Sequence, residues 1–151
     1  MPKFNNFIDG FQKDHYQLLE LIISFRNAIE SANRERAKEI LSKMNTVIDG
    51  HFRFEETYFY PRLRRLMSEI TANLCNEQQA MKEFIRRSRS IMNKNKLTKN
   101  EASSLLDMLP RLSKILGDCN DLASLAEKFD KEDKEDLNLR FTECHKTTNK
   151  F

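Results

Sequence analysis

The sequence has 151 residues, of which 39% are hydrophobic and 32% are charged. This length suits one domain with a core of its own, and the apolar content is too high for a disordered chain. The net charge of +3 is too small to indicate nucleic-acid or membrane binding by itself. The amino terminus lacks the apolar stretch of a signal peptide, and no run approaches the length of a membrane span, so we expect a cytoplasmic protein. Only three glycines and three prolines occur, which favours long helices.

The first predicted helix carries an apolar stripe whose members recur every three or four residues. They are Phe7, Phe11, His15, Leu18, Ile22, Phe25 and Ile29. Asn33 is a candidate N-cap for the second helix, which is predicted from about residue 36 to about residue 66. The stripe of that helix consists of Ile40, Met44, Val47, His51, Glu55 and Tyr58. Pro61 should kink or end its regular part, because proline lacks an N–H and crowds the preceding turn.

Two further helices are predicted from the same spacing. The third has a stripe of Ile70, Leu74, Gln78, Met81, Ile85, Ser88 and Met92. Thr98 and Glu101 have the spacing of a capping box, which opens the fourth helix. The stripe of the fourth helix consists of Leu105, Leu109, Leu112, Leu116, Asn120, Ala123 and Ala126. The charged segment from Asp130 onward is predicted to be a short helix or tail, anchored by Leu137, Leu139 and Phe141.

Four amphipathic helices joined by short loops predict an all-α, up-down-up-down four-helix bundle. We assign residues 1–151 to one domain, with the bundle core at about 5–130 and a C-terminal extension at about 131–151. The three cysteines, Cys75, Cys119 and Cys144, lack CxxC spacing and are expected to be reduced thiols. Cys75 and Cys119 lie near Gln78 and Asn120, so a thiol pair facing the pocket could replace imidazoles and suit Zn(II), or act as a redox switch. Small buried side chains are the simpler interpretation, and we expect that one.

Polar residues interrupt the inward stripes near the middle of each helix. They are His15, His51, Glu55, Gln78 and Asn120. Mid-helix positions of an antiparallel bundle lie at one height, so these side chains should share one buried pocket. His51 and Glu55 are four residues apart on one helical face, and with His15 they make a 2-His-1-carboxylate set suited to Fe(II), or to Zn(II) with water. The third histidine, His145, is expected to be exposed and far from this pocket.

Two segments resemble the signatures of hemerythrin-like (HHE cation-binding) domains. Residues 14–19 (DHYQLL) are similar to the first-helix signature, and residues 51–63 (HFRFEETYFYPRL) closely resemble the second-helix signature. The resemblance in helix order covers about residues 5 to 130. Such domains typically hold two iron atoms, and the resemblance implies that His15, His51 and Glu55 are the ligands of the first iron.

The second half departs from that family pattern. Gln78 and Lys82 stand where the third helix would carry metal ligands, and Asn120 and Ser124 stand at the corresponding positions of the fourth helix. None of the four is a good iron ligand, and an ammonium group is repelled by a cation. We expect all four to line the pocket, with Lys82 neutralising Glu55 in a buried salt bridge. The sequence therefore predicts one iron, or one zinc, or no metal.

The first functional hypothesis is a non-enzymatic bundle that binds one metal and senses or buffers metal, O2 or NO, as the resemblance implies. The alternative is a metal-free bundle that acts as an interaction or regulatory module, with a protein partner the sequence does not identify. A mononuclear iron enzyme ranks last, because no second catalytic group can be argued. The arginine clusters are expected to be solvated helix faces, since no nucleic-acid motif accompanies them.

Overall fold

The computed structural model describes residues 6–94 and 96–149, with side chains for these residues except 122–124 and 146–149. All regular structure in this part of the chain is helical, which confirms the predicted fold class. The elements are α1 (Phe7–Glu30), α2 (Arg34–Phe54), a π-helical turn (Glu55–Phe59), α3 (Tyr60–Leu66), α4 (Ser68–Met92), α5 (Lys99–Ala123), a 3-10 turn (Ser124–Lys128) and α6 (Lys131–Asn149). None of these helices is long and apolar enough to cross a membrane.

Side-chain caps fix where three of the long helices begin. Asn6 accepts a hydrogen bond from the Asp9 N–H at 3.0 Å at the start of α1. Asn33 does the same for α2, as predicted. The predicted capping box forms before α5, where Thr98 and Glu101 each accept the other's backbone N–H at 3.1 Å. These bonds satisfy donors that the first turn of a helix leaves free.

The four long helices close into a bundle. Helix α1 packs against α2 and α5, and α4 packs against the same two neighbours. Buried apolar side chains form two groups, one towards each end of the bundle. The second group is rich in phenylalanine and includes side chains from α6. The polar residues of the inward stripes lie where the two groups meet.

The C-terminal segment is a long helix that packs on α1 and α2, and the buried core extends into it. Leu137 and Phe141 are buried, whereas Leu139 is 56% exposed, contrary to the predicted anchor. Two residues along a helix turn the side chain by roughly 200°, so Leu139 points away from its neighbours. The Asn138 side chain accepts the Phe7 N–H at 2.7 Å. Gly10 of α1 contacts the Phe141 ring so closely that a Cβ atom would overlap it.

The stripe of α4 differs from the prediction at one end. Ile70 is 39% exposed, and Thr71 is fully buried in its place. The Thr71 hydroxyl donates to the Met67 carbonyl at 2.7 Å, which satisfies it inside the helix. The rest of the predicted α4 stripe faces inward.

Candidate metal centre

His15, His51 and Glu55 lie around one cavity of about 20 Å³ between α1, α2, α4 and α5. Their exposed fractions are 3%, 1% and 1%. Gln78 and Cys119 also line the cavity, together with apolar side chains of the surrounding helices. A space of this size holds one water molecule or one ion. The structure therefore brings the predicted metal ligands together, and their role as ligands stays a prediction.

A π-helical turn presents Glu55 to the cavity. Within it the Tyr60 N–H donates to the Glu55 carbonyl, five residues back, so one extra residue is accommodated. Tyr60 consequently faces Glu55, and its hydroxyl donates to Glu55 Oε2. The sequence periodicity of a regular helix placed Tyr58 on the inward face beside Glu55. In the structure Tyr58 is only half-buried, because the π turn interrupts that periodicity. Pro61 is the feature of the sequence that could have indicated this irregularity, since it lies in the first turn of α3 directly after the π turn.

Each buried histidine has its outer nitrogen fixed by a hydrogen-bond acceptor. His51 Nδ1 lies 2.8 Å from Asp14 Oδ2. His15 Nδ1 lies 3.1 Å from Asn120 Oδ1. Both contacts require Nδ1–H donors, so each neutral ring directs the Nε2 lone pair inward. The Phe11 ring holds both imidazoles from one side, with centroid distances of 4.2 Å to His51 and 5.1 Å to His15.

Five atoms of cavity-lining side chains have no hydrogen-bond partner, namely His15 Nε2, His51 Nε2, Glu55 Oε1, Glu77 Oε2 and Gln78 Nε2. His51 Nε2 and Glu55 Oε1 are 3.2 Å apart, but they are not aligned as donor and acceptor. Leaving a buried polar atom unsatisfied costs about 1–3 kcal/mol. Five such atoms around one small space indicate room for a ligand there, and three of the five belong to the predicted metal ligands.

Burial shifts the pKa values of His15, His51 and Glu55 towards their neutral forms, whereas neighbouring carboxylates raise the pKa of a histidine. Burial lowers the pKa of His15 to about 3, so this imidazole is neutral and its lone pair is available. Burial also disfavours charge on His51, but the Glu55 and Asp14 carboxylates outweigh it and raise the pKa of His51. Burial raises the pKa of Glu55 despite His51, Tyr60 and Cys119 beside it. Burial therefore determines the direction of the pKa shift at His15 and Glu55, whereas the neighbouring carboxylates determine it at His51.

His145 supports the centre from α6, contrary to its predicted exposure. Its Nε2 atom lies 2.7 Å from Asp14 Oδ2, and its Nδ1 atom lies 2.9 Å from the Phe141 carbonyl. The ring is half-buried, because Phe141 anchors α6 against α1. Asp14 therefore accepts from two histidines, one on each side.

A model of the hemerythrin HHE cation-binding domain matches residues 6–138. The chain belongs to this family. No curated protein and no solved structure matches the hemerythrin-like chain significantly. The family's description names cation binding, and the two buried histidines and the carboxylate line one cavity within the matched residues.

In the hemerythrin-like chain, four residues stand where the family carries metal ligands, and only some of them line the cavity as predicted. Gln78 is buried and lines the cavity. Asn120 does not line it, and instead contacts the outer side of His15. The side chain of Ser124 lies outside the described side chains. Cys119 faces the cavity where Asn120 was expected, which is a one-residue error of register in α5.

The predicted salt bridge between Lys82 and Glu55 is wrong. The Lys82 side chain is 40% exposed and pairs with Glu56. Its ammonium group lies 5.7 Å from the centroid of the Phe52 ring, outside the cavity. An ammonium group loses less hydration at the surface than in the core, which favours this position. Among the described side chains, Glu55 therefore has no buried lysine or arginine partner, and the ionisable base beside it is His51.

The donor set of the hemerythrin-like chain fits one metal ion. His15, His51 and Glu55 each offer a lone pair to the same space. A second iron bound through imidazoles has no donors, because the sequence contains three histidines and the third, His145, is bound to Asp14. Glu77 lines the cavity as well, but burial and the adjacent Asp118 raise the pKa of its carboxyl group and disfavour its charged form.

Proposed function

We propose that this protein binds a single divalent metal ion through His15 Nε2, His51 Nε2 and Glu55 Oε1. The observation that supports it is the convergence of these three buried, unsatisfied atoms on one cavity of about 20 Å³. A dication would accept a lone pair from each of these three atoms. A single buried water would satisfy the same atoms, so metal content decides between them.

The metal of this proposal is iron or zinc. Two imidazoles and a carboxylate suit Fe(II), and zinc accepts the same donors. Bound iron of this type would supply open positions for O2 or NO. The protein's own contribution is to fix the ring tautomers through Asp14 and Asn120 and to exclude bulk water with apolar walls. The walls are formed by Phe52, Leu74, Met81, Ile115 and Leu116.

The proposed role is sensing or buffering of the metal, or of a small gas bound to it, rather than catalysis. The cavity of about 20 Å³ has room for one ion or one water molecule, which favours binding over catalysis on a larger substrate. We also propose a cytoplasmic location, which agrees with three free cysteines, since thiols stay reduced there. The alternative of a metal-free module depended on Lys82 neutralising Glu55, and that contact is absent from the described side chains.

Elemental analysis of the purified, untagged protein tests the proposal. Iron and zinc should total one per chain after anaerobic metal loading, and His51→Ala and Glu55→Gln should lose the metal. Glu56→Gln is the matched control, because Glu56 is an exposed neighbour that pairs with Lys82 and should leave the metal content unchanged. Two metals per chain would show that the donor set has been underestimated. No metal after loading would overturn the proposal and favour the metal-free module.

A further inference from the structure

The thiol of Cys119 faces the candidate centre from α5. Its Sγ atom lies 3.4 Å from Glu55 Oε2, and the residue is 8% exposed. One ligand atom each from His15, His51 and Cys119 can be chosen so that all three lie within 4.8 Å of one another. The two imidazole Nε2 atoms have no hydrogen-bond partner. The cysteine therefore belongs to a group of buried donors that already point to a ligand.

The distances are close to those of a tetrahedral zinc site. Zinc–nitrogen bonds of about 2.0–2.1 Å and zinc–sulfur bonds of about 2.3 Å place neighbouring ligand atoms about 3.3–3.6 Å apart. Atoms at the 4.8 Å limit would have to approach by roughly 1 Å to bind one ion. Glu55 is not in this group of three, but its Oε1 atom lies 3.2 Å from His51 Nε2 and has no hydrogen-bond partner, which makes it the candidate for the fourth position.

Charge balance favours a thiolate in this position. A dication held by two neutral imidazoles and one carboxylate leaves a net charge of +1 in a buried site, which is costly. When Cys119 binds, its S–H bond breaks, the sulfur–metal bond forms and the proton passes to solvent. The dication, the carboxylate and the thiolate then sum to zero. None of the described side chains that line the cavity is a lysine or an arginine, so no ammonium or guanidinium group changes this sum of charges.

We propose that Cys119 is the fourth ligand of a closed, four-coordinate site that prefers zinc to iron, with His15, His51 and Glu55 as its other ligands. This inference rests on the proposed metal binding and narrows it. Thiolate sulfur favours zinc over metals that prefer oxygen, and N/S donor sets bind zinc more tightly than Fe(II). Four protein ligands leave no open position, so the site would sense or store zinc rather than bind O2 or NO.

Cobalt(II) is the spectroscopic probe for this coordination. Anaerobic titration of the metal-free protein with Co(II) should give the strong visible bands of a tetrahedral site and a near-ultraviolet thiolate-to-cobalt band. Zn(II) should abolish both, and equimolar Fe(II) should not. Cys119→Ser should lose the thiolate band and bind Zn(II) more than about tenfold more weakly. Cys75→Ser is the matched control, because this half-buried thiol does not line the cavity and should keep the band.

X-ray absorption of the zinc-loaded wild type gives the same answer without a variant that could fail to fold. One sulfur neighbour at about 2.3 Å is expected beside nitrogen and oxygen neighbours. A metal bound only by nitrogen and oxygen, with no thiolate band, would overturn the cysteine ligand and leave the proposed metal site standing. Failure to bind Co(II), Zn(II) or Fe(II) would overturn both proposals.

Discussion

Asp14 is the acceptor on which two histidines depend, and Asp14→Ala tests how the centre is held. Its Oδ2 atom accepts from His51 at 2.8 Å and from His145 at 2.7 Å, while its side chain is 9% exposed. Hydrogen bonds to a charged group contribute about 1.5–3 kcal/mol each. Losing both should lower the free energy of unfolding by about 3–5 kcal/mol, the usual cost of removing one partner of a buried charge pair.

Urea unfolding of the metal-free protein, followed by circular dichroism, measures this loss. Asp14→Asn keeps an oxygen acceptor without the charge, so its free energy of unfolding should fall between those of the wild type and Asp14→Ala. Asp49→Ala is the matched control, because its carboxylate is 65% exposed and pairs only with Arg53 one turn away among the described contacts. That surface pair should contribute less than about 0.5 kcal/mol.

Metal affinity gives a second measure of the same contact. Removing the partner that orients a metal-binding histidine typically weakens binding about 10–100-fold, and a competition titration against a chelator of known affinity would detect it. If Asp14→Ala unfolds within about 1 kcal/mol of the wild type and binds metal equally tightly, the support assigned to Asp14 is wrong.

The stabilisation by Asp14 should also depend on pH in a defined direction. Burial raises the pKa of Asp14, but hydrogen bonds from His145 and His51 outweigh it and hold the pKa below its ordinary value. A carboxyl group with a depressed folded pKa stabilises the fold above its unfolded pKa of about 3.9 and loses this effect as the pH falls below it. The difference between the wild type and Asp14→Asn should therefore shrink below about pH 4.

Three further predictions concern single side chains. Gly10→Ala should destabilise the fold by about 1–3 kcal/mol in urea unfolding, since the added Cβ overlaps the Phe141 ring. Gly117→Ala, whose Cβ meets nothing within 4 Å, should stabilise the fold by about 0.5–1 kcal/mol. Equal effects of the two substitutions would contradict the close contact between Gly10 and Phe141. Lys82→Ala should change the free energy of unfolding by less than about 1 kcal/mol, because its ion pair is at the surface. A loss of about 3 kcal/mol would instead support a buried salt bridge between Lys82 and Glu55. Burial holds the pKa of His15 at about 3, so only the unfolded chain takes up this proton as the pH falls from about 6.5 to 3, which costs about 1.4 kcal/mol per pH unit. In metal-free His15→Gln the slope should be smaller by this amount, while the other titrating groups keep their contributions, and an unchanged slope would show that folded His15 is protonated.

The helices and half of the centre could be predicted from sequence because they depend on local spacing. A stripe repeating every three or four residues must face one side of a helix, and the capping residues are adjacent to the turns they cap. His51 and Glu55 are one turn apart, so they face the same way whatever surrounds them. His15 reaches them because antiparallel helices place their midpoints at one height.

The remaining contacts depend on rotations and packing that local spacing does not contain. One extra residue in the π turn brings Tyr60 to Glu55 instead of Tyr58. A rotation of α5 by one residue, roughly 100°, turns Cys119 inward and Asn120 towards the outer side of His15. The long Lys82 side chain can reach either Glu55 or Glu56, and only desolvation decides between them.

The hydrogen bond between Asp14 and His145 joins residues 131 positions apart. At 5–20 residues per second, a ribosome takes about 7 to 26 s to advance from one to the other. During that interval the nascent bundle can bring His51 to Asp14, but the second donor has not been synthesised. Under the proposed metal binding, a metal bound before α6 docks would find His51 oriented by an Asp14 that still lacks its second donor, so the affinity of the centre would depend on whether metal arrives before or after the chain is complete.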